Sequence, residues 1–157
     1  MLSEMKKIVP VMIQPVNFAD VDCDSIDMSG FHKATFIFNF GTCSSAVTVT
    51  PKSGASAGIS TTPVPSIYAL GGAAIGTAVA TSTSAASCDV LGAWATTATT
   101  VVSTATTKML IIEIDAANMT DGEDWLTLNV GGTDLIASAV AILEPRYTGN
   151  RSETCLV

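Results

Sequence analysis

The residues best placed to do chemistry are acidic. Asp20, Asp22, Asp24 and Asp27 recur in the run Asp20-Val-Asp22-Cys-Asp24-Ser-Ile-Asp27, and carboxylates two apart are how a calcium-binding loop begins. The helix-loop-helix calcium motif also needs Gly at its sixth position and Glu at its twelfth. Ser25 and Phe31 stand there, so that motif fails, and the run reads as a solvated acidic loop or a looser divalent-cation site. Asp121, Glu123 and Asp124 cluster around Gly122, the composition of a polar hairpin loop. His32 is the single histidine. No Gly-x-Ser-x-Gly elbow accompanies it, so it reads as a surface or capping residue. Gly71-Gly72-Ala73-Ala74-Ile75-Gly76 imitates a dinucleotide loop without the strand-helix-strand frame such a loop requires.

Cysteines stand at 23, 43, 88 and 155, none in a Cys-x-x-Cys pair. Structural zinc needs paired spacing, so free thiols are expected, with one disulfide left open among the pairings. Catalysis, metal and cofactor are all unexpected. Asn118-Met-Thr120 and Asn150-Arg-Ser152 match the glycosylation triplet, but no secretion signal goes with them.

A different feature carries more weight. Between Lys52 and Lys108 the one charged residue is Asp89, and Ser53 to Cys88 has none. Interface centres are depleted of charge because desolvating it is costly, so the segment suits a subunit or partner contact, with Tyr68, Leu70, Ile75 and Trp94 as its anchors. The competing expectation is a segment threaded through the core, or a polar loop.

These residues need elements to hold them, and the chain reads as strands. In Ala34–Phe40, Phe36, Phe38 and Phe40 share one face and Thr35, Ile37 and Asn39 the other, the alternation of a half-buried strand. Ser45–Thr50 alternates with Val47 and Val49 inward, and Pro51 is expected to close it. Lys7–Gln14 is weaker, and Pro10 assigns it to an edge or a bulge. Met109–Asp115 turns Leu110, Ile112 and Ile114 inward. Trp125–Val130 turns Leu126, Leu128 and Val130 inward and Thr127 and Asn129 outward. Gly131-Gly132 suits a tight hairpin leading to Leu135–Leu143. The three C-terminal strands are therefore expected to form an antiparallel meander, followed by a tail. In the middle, Thr96–Thr107 favours strand, and Ala69–Ala80 is either a strand pair or a short helix.

Composition agrees with this frame. The 157 residues are 48% hydrophobic, 13% charged and 6% aromatic, far from the profile of a disordered chain. A net charge of −7 with seven Lys and Arg leaves no basic stripe for nucleic acid. Mean hydropathy is +0.46, but Ala, Thr, Ser and Gly number 21, 21, 15 and 12, and no apolar run approaches the ~20 residues of a membrane-spanning helix. Lys6 and Lys7 precede an apolar run broken by Pro10 and Pro15, so no signal peptide is read. The expectation is one all-β domain over 1–149, an antiparallel β-sandwich or partly open barrel. Residues 1–15 are its arm or edge strand, 53–107 form a small-residue insertion, and 150–157 are a C-terminal tail.

MSGFHKATFIFNFG, then AVTVTPKSGASAGIS, then LIIEIDAANMTDGEDWLTLNVGGTDLIASAVAILEPRYTG resembles small structural proteins of tailed bacteriophages encoded among head genes. The shared pattern is a strand ending in Glu-x-Asp, an Asp/Gly loop before an aromatic strand, a Gly-rich turn, and an Ala/Val/Ile strand closing in Pro145-Arg146-Tyr147. It spans about Ile8 to Gly149, with 61–107 alike in composition only. The resemblance implies a non-enzymatic virion component, foremost a decoration (cement) protein made in the host cytoplasm. It would bind the major capsid protein on the outer head and itself in a trimer or other symmetric cluster, without nucleic acid or membrane. The alternatives are a tail, connector or baseplate accessory, or a receptor- or carbohydrate-binding module.

Overall fold

Residues whose side chains alternate between apolar and polar pair into two antiparallel sheets, as the computed structural model shows. It describes residues 6–71, 91–102, 106–147 and 155–156. The first sheet runs in the order β1 (Lys7–Phe18), β12 (Leu135–Pro145), β4 (Phe31–Phe40), β10 (Met109–Asp115), β7 (Ser66–Leu70), β8 (Ala95–Thr97). The second runs β2 (Val21–Asp22), β11 (Trp125–Gly131), β5 (Val47–Gly54), β6 (Thr62–Pro63). In the second sheet β3 (Ile26–Asp27) also pairs with β11, and β9 (Thr100–Val102) with β5. Ala116–Asn118 form one 3-10 turn, capped by the Asp115 carboxylate, which accepts from the Ala117 amide at 2.9 Å. The inner faces form one apolar core. The fold is all-β, a β-sandwich.

The core is built from a size match between neighbours. Phe36, Phe38 and Phe40 of β4 lie directly opposite Ala141, Ala139 and Ala137 of β12. Cross-strand partners on one face sit about 5 Å apart, so each alanine leaves room for a ring. Phe38 and Phe40 stack at 5.9 Å between centroids. Leu110, Ile112 and Ile114 continue this surface, and Leu126, Leu128, Val130, Val47 and Val49 face it from the second sheet, all fully buried.

The expected C-terminal meander does not form. β10 and β12 both pair with β4, one on each side, while β11 lies in the other sheet. The Gly131-Gly132 link therefore crosses between sheets rather than closing a hairpin. β11 already pairs with β5 on one edge and with β2 and β3 on the other, which leaves β12 no edge to join. Pro51 does not end its strand either, since β5 runs to Gly54. The N–H and C=O of an extended residue point the same way. The Pro51 carbonyl accepts from Val64 at 2.9 Å, in the gap between β9, which pairs with Val47–Val49, and β6, which pairs with Lys52 and Ser53. The missing N–H thus falls where no ladder bond is required.

Two seams join the sheets. On one side Cys23 donates its amide to Leu128 of the second sheet, and Asp24 donates to Val11 of the first, each at 2.9 Å. The edge strand β1, with register breaks after Pro10 and after Gln14, is held there. On the other side the chain passes from β8 in one sheet to β9 in the other. Thr97 and Thr99 tighten that corner through the Thr97 hydroxyl. Of the expected tail, Cys155 and Leu156 are described, and both dock. The Cys155 carbonyl accepts from Asp27 at 2.9 Å, and Leu156 bridges to Ile26.

Candidate functional site

The acidic run of 20–27 is an alternating edge rather than a calcium loop. Cys23, Ser25 and Ile26 are buried, whereas Asp20, Asp22 and Asp24 are exposed. Asp22 accepts from the Asn129 amide at 2.8 Å, and Asp27 accepts from the Ser29 N–H at 2.9 Å. Among the described residues no three His, Cys, Asp or Glu side chains converge as a metal ion would need. A depression of about 320 Å³ lies beside the run, walled by Pro10–Ile13 with Asp22 and Asp24 at its rim.

Ser25 shows what the inward members do. Its hydroxyl bonds that of Thr127 at 2.8 Å and accepts from the Gly58 amide at 3.0 Å. Thr127, expected on the solvent side of its strand, is thereby covered and only 2% exposed. A side chain on an outer face is buried when a loop crosses it. Here the loop after β5 turns back so tightly that a Cβ on Gly54 would lie 1.6 Å from the Ile59 carbonyl oxygen.

Glu123 is the most bonded carboxylate of the second cluster. It accepts from Ser53 at 2.5 Å, Thr62 at 3.2 Å and Thr61 at 3.4 Å. Those hydroxyls, Ser53 foremost, hold its carboxyl below the usual 4.5. It clasps the turn around Gly122, whose φ is +80°, onto β5 and β6. Asp121 and Asp124 remain exposed at the mouth of a 390 Å³ depression shared with Met28 and Arg146. Arg146 belongs to the Pro-Arg-Tyr ending. Its Nε donates to the Phe31 carbonyl at 3.1 Å and its amide to Gly30 at 2.9 Å, so it clips the end of β12 to the turn before β4.

The nucleophile candidates are muted. Burial, then Asp22 and Asp24, push the Cys23 thiol up to about 12, which suppresses the thiolate that nucleophilic chemistry requires. Its sulfur lies 3.6 Å from that of Met12. Burial also raises Cys155. Cys23, Cys43 and Cys155 are free thiols. His32 is exposed.

Of the four expected interface anchors, Tyr68 and Leu70 stand opposite Ile112 and Leu110 on the inner face and pack against the core. Trp94 is 48% exposed beside β8. Ile75 lies outside the described residues, as does most of the Gly71–Gly76 run.

An outer face that the inward-facing pattern did not reveal is more informative. On the outside of the first sheet, Pro10, Val140, Ile37, Ile111 and Ala69 stand opposite one another in turn, an apolar row across five strands, in which Pro10 is exposed, Val140, Ile37 and Ile111 are half-buried and Ala69 is fully buried. Ile8 opposite Ile142 begins the next row. The charges of this face sit at one end, where Lys33 pairs with Glu113 and Lys6 with Glu144. The sequence does carry the signal: Ile37 and Ile111 are apolar residues in the outward phase of their strands, the mark of a strand covered on both sides.

The opposite outer face is polar apart from Trp125. Thr50 bonds Thr99 at 3.2 Å, and Thr48 bonds the Gly131 carbonyl at 3.4 Å beside Asn129 and Asp22. Charge is divided in the same way. On or flanking the strands of the first sheet, Lys6, Lys7, Lys33, Lys108 and Arg146 stand against Glu113, Asp115 and Glu144. On the second sheet and the loops entering or leaving it, Lys52 stands against Asp20, Asp22, Asp24, Asp27, Asp121, Glu123, Asp124 and Asp134. No known protein family, curated protein or solved structure matches the chain.

Proposed function

We propose that the chain is a non-enzymatic structural protein of a tailed-phage virion, a decoration protein that binds the major capsid protein on the outer head. The observation that supports this most is the division of the sandwich into a half with few acids and an apolar row on its outer side and an acidic, hydroxyl-rich half. A strip without charged residues loses little solvation when another protein covers it. An acidic, hydroxyl-rich surface stays hydrated and is repelled by packaged DNA. The resemblance of 8–149 to phage structural proteins supplies the setting. Binding only to the assembled shell stabilises it by mass action, without any bond being made or broken.

On this reading the head contact lies at the uncharged β7–β8 margin, where Trp94 is exposed and where no charged residue occurs between Lys52 and Asp89. Sedimentation of purified protein with expanded empty heads tests it. The expected result is pelleting in copies near the capsomer count, and Trp94→Glu lowers the affinity by at least about tenfold, ~1.4 kcal/mol. A few copies per particle would point to a tail, connector or baseplate component instead. Glycan binding without head binding would point to a receptor module. Turnover of a small substrate would overturn the reading altogether.

A further inference from the structure

We propose that the segment Cys155–Leu156 is an exchangeable strap, and that the slot it fills beside β3 also accepts the same segment of a second copy, so that neighbouring chains trade tails. The segment lies along the edge of β3 that β11 leaves open. Ile26 pairs with Leu126 on one side and with Leu156 on the other, and Asp27 donates its amide to the Cys155 carbonyl at 2.9 Å. Cys155 is 3% exposed and belongs to the core, and Leu156 packs against that core. From β1 of the first sheet, the Lys7 side chain reaches the Cys155 thiol. The segment therefore closes the side of the sandwich between β3 and the start of β1.

The strap is held lightly, yet its slot is costly to leave empty. Among the described residues it rests on one backbone hydrogen bond and two apolar side chains. Elements with so few contacts open far more readily than the whole fold. An empty slot would uncover Ile26, which is fully buried, and leave the Asp27 amide without its acceptor. The slot thus takes an extended segment with apolar side chains and a free carbonyl, and the tail of another copy offers the same residues in the same register. Reach permits it. The Arg146 amide is fixed to the Gly30 carbonyl, and Gly30 lies three residues from Asp27, at most about 11 Å away. The nine steps from Arg146 to Cys155 can stretch about 30 Å. That slack brings the slot of an adjacent copy within range. Exchanging an identical segment keeps each contact, so it is a low-cost way to join copies. The tethered tail wins in dilute solution, and exchange grows as copies crowd together. The proposal does not depend on head binding.

The test uses the full chain. Isotopically light and heavy copies are mixed and treated with a short amine-to-thiol cross-linker, and peptides joining Lys7 to Cys155 are sorted by mass. Mixed light–heavy peptides are expected, with a share that rises with protein concentration. Leu156→Asp, which would bury an unpaired charge in the slot, lowers that share by at least about tenfold. Iodoacetamide gives a second readout. In Leu156→Asp, Cys155 is expected to react at least about tenfold faster while Cys23 keeps its rate, because the strap opens without the rest of the fold. Mixed peptides that are absent at the highest concentration, or undiminished in Leu156→Asp, would overturn the exchange. An unchanged Cys155 rate, or equal acceleration of both thiols, would overturn the strap itself.

Discussion

At the scale of single residues the sandwich contains one instructive exception. Thr100 faces the core opposite Val49, and its hydroxyl is the one buried side-chain polar atom among the described residues without a hydrogen-bond partner. An unpaired buried hydroxyl costs on the order of 1–3 kcal/mol, and an apolar group of the same shape removes that cost. Thr100→Val is therefore expected to stabilise the protein by about 1 kcal/mol and raise Tm by about 2–4 °C for a chain of this size, read by calorimetry. Glu123 behaves in the opposite sense. Ser53, then Thr62 and Thr61, hold its carboxyl below the ordinary 4.5, and a bond from Lys6 does the same for Glu144. A carboxyl whose folded pKa is depressed contributes stability that is present above the unfolded pKa and is lost as pH falls through the folded one. Chemical unfolding at a series of pH values should show stability dropping below about pH 4.5, more shallowly in Glu123→Gln.

At the scale of elements, the Phe-on-Ala register between β4 and β12 carries the core. Phe38→Ala is expected to cost about 3–5 kcal/mol, and Ala139→Leu, overpacking the same spot, about 1–3 kcal/mol. Because the two residues face each other, the double variant should be more stable than the sum of the single effects implies. Strict additivity in denaturant melts would show that the register is different. This scale also shows how far the sequence reaches. The strands at 34–40, 109–115, 125–130 and 135–143 were legible, together with their inward residues, because alternation is a local property of each segment. The continuation of β5 past Pro51 was not. A proline is tolerated in a strand when its missing donor faces a gap, and that gap exists because β6 and β9 stop on either side of it. The covered state of Thr127 was hidden for the same reason, since Ser25 and the loop at Gly58 arrive from elsewhere in the chain.

At the scale of the whole molecule, the two-faced charge distribution connects the fold to the proposed role. Neighbouring copies of a chain with net charge −7 repel at long range, while the proposed head contact around Trp94 is uncharged. Raising salt from 0.05 to 0.5 M shortens the screening length from about 14 to about 4 Å, so head binding through the uncharged β7–β8 margin should strengthen with salt. A contact held by ion pairs would weaken. Sedimentation with empty heads at the two ionic strengths separates these outcomes.

The sequence by itself determined the all-β class, the residues that face inward and the lack of charge from 53 to 88, because each follows from side-chain chemistry along a short stretch. Only the tertiary structure decided which strands are neighbours. β10 and β12 flank β4, β11 belongs to the other sheet, and Ile37, Ile111 and Val140 thereby join into one apolar row. The physical reason is that alternation sets the direction a side chain points, whereas pairing depends on which strand edges remain open once every other strand has found its place.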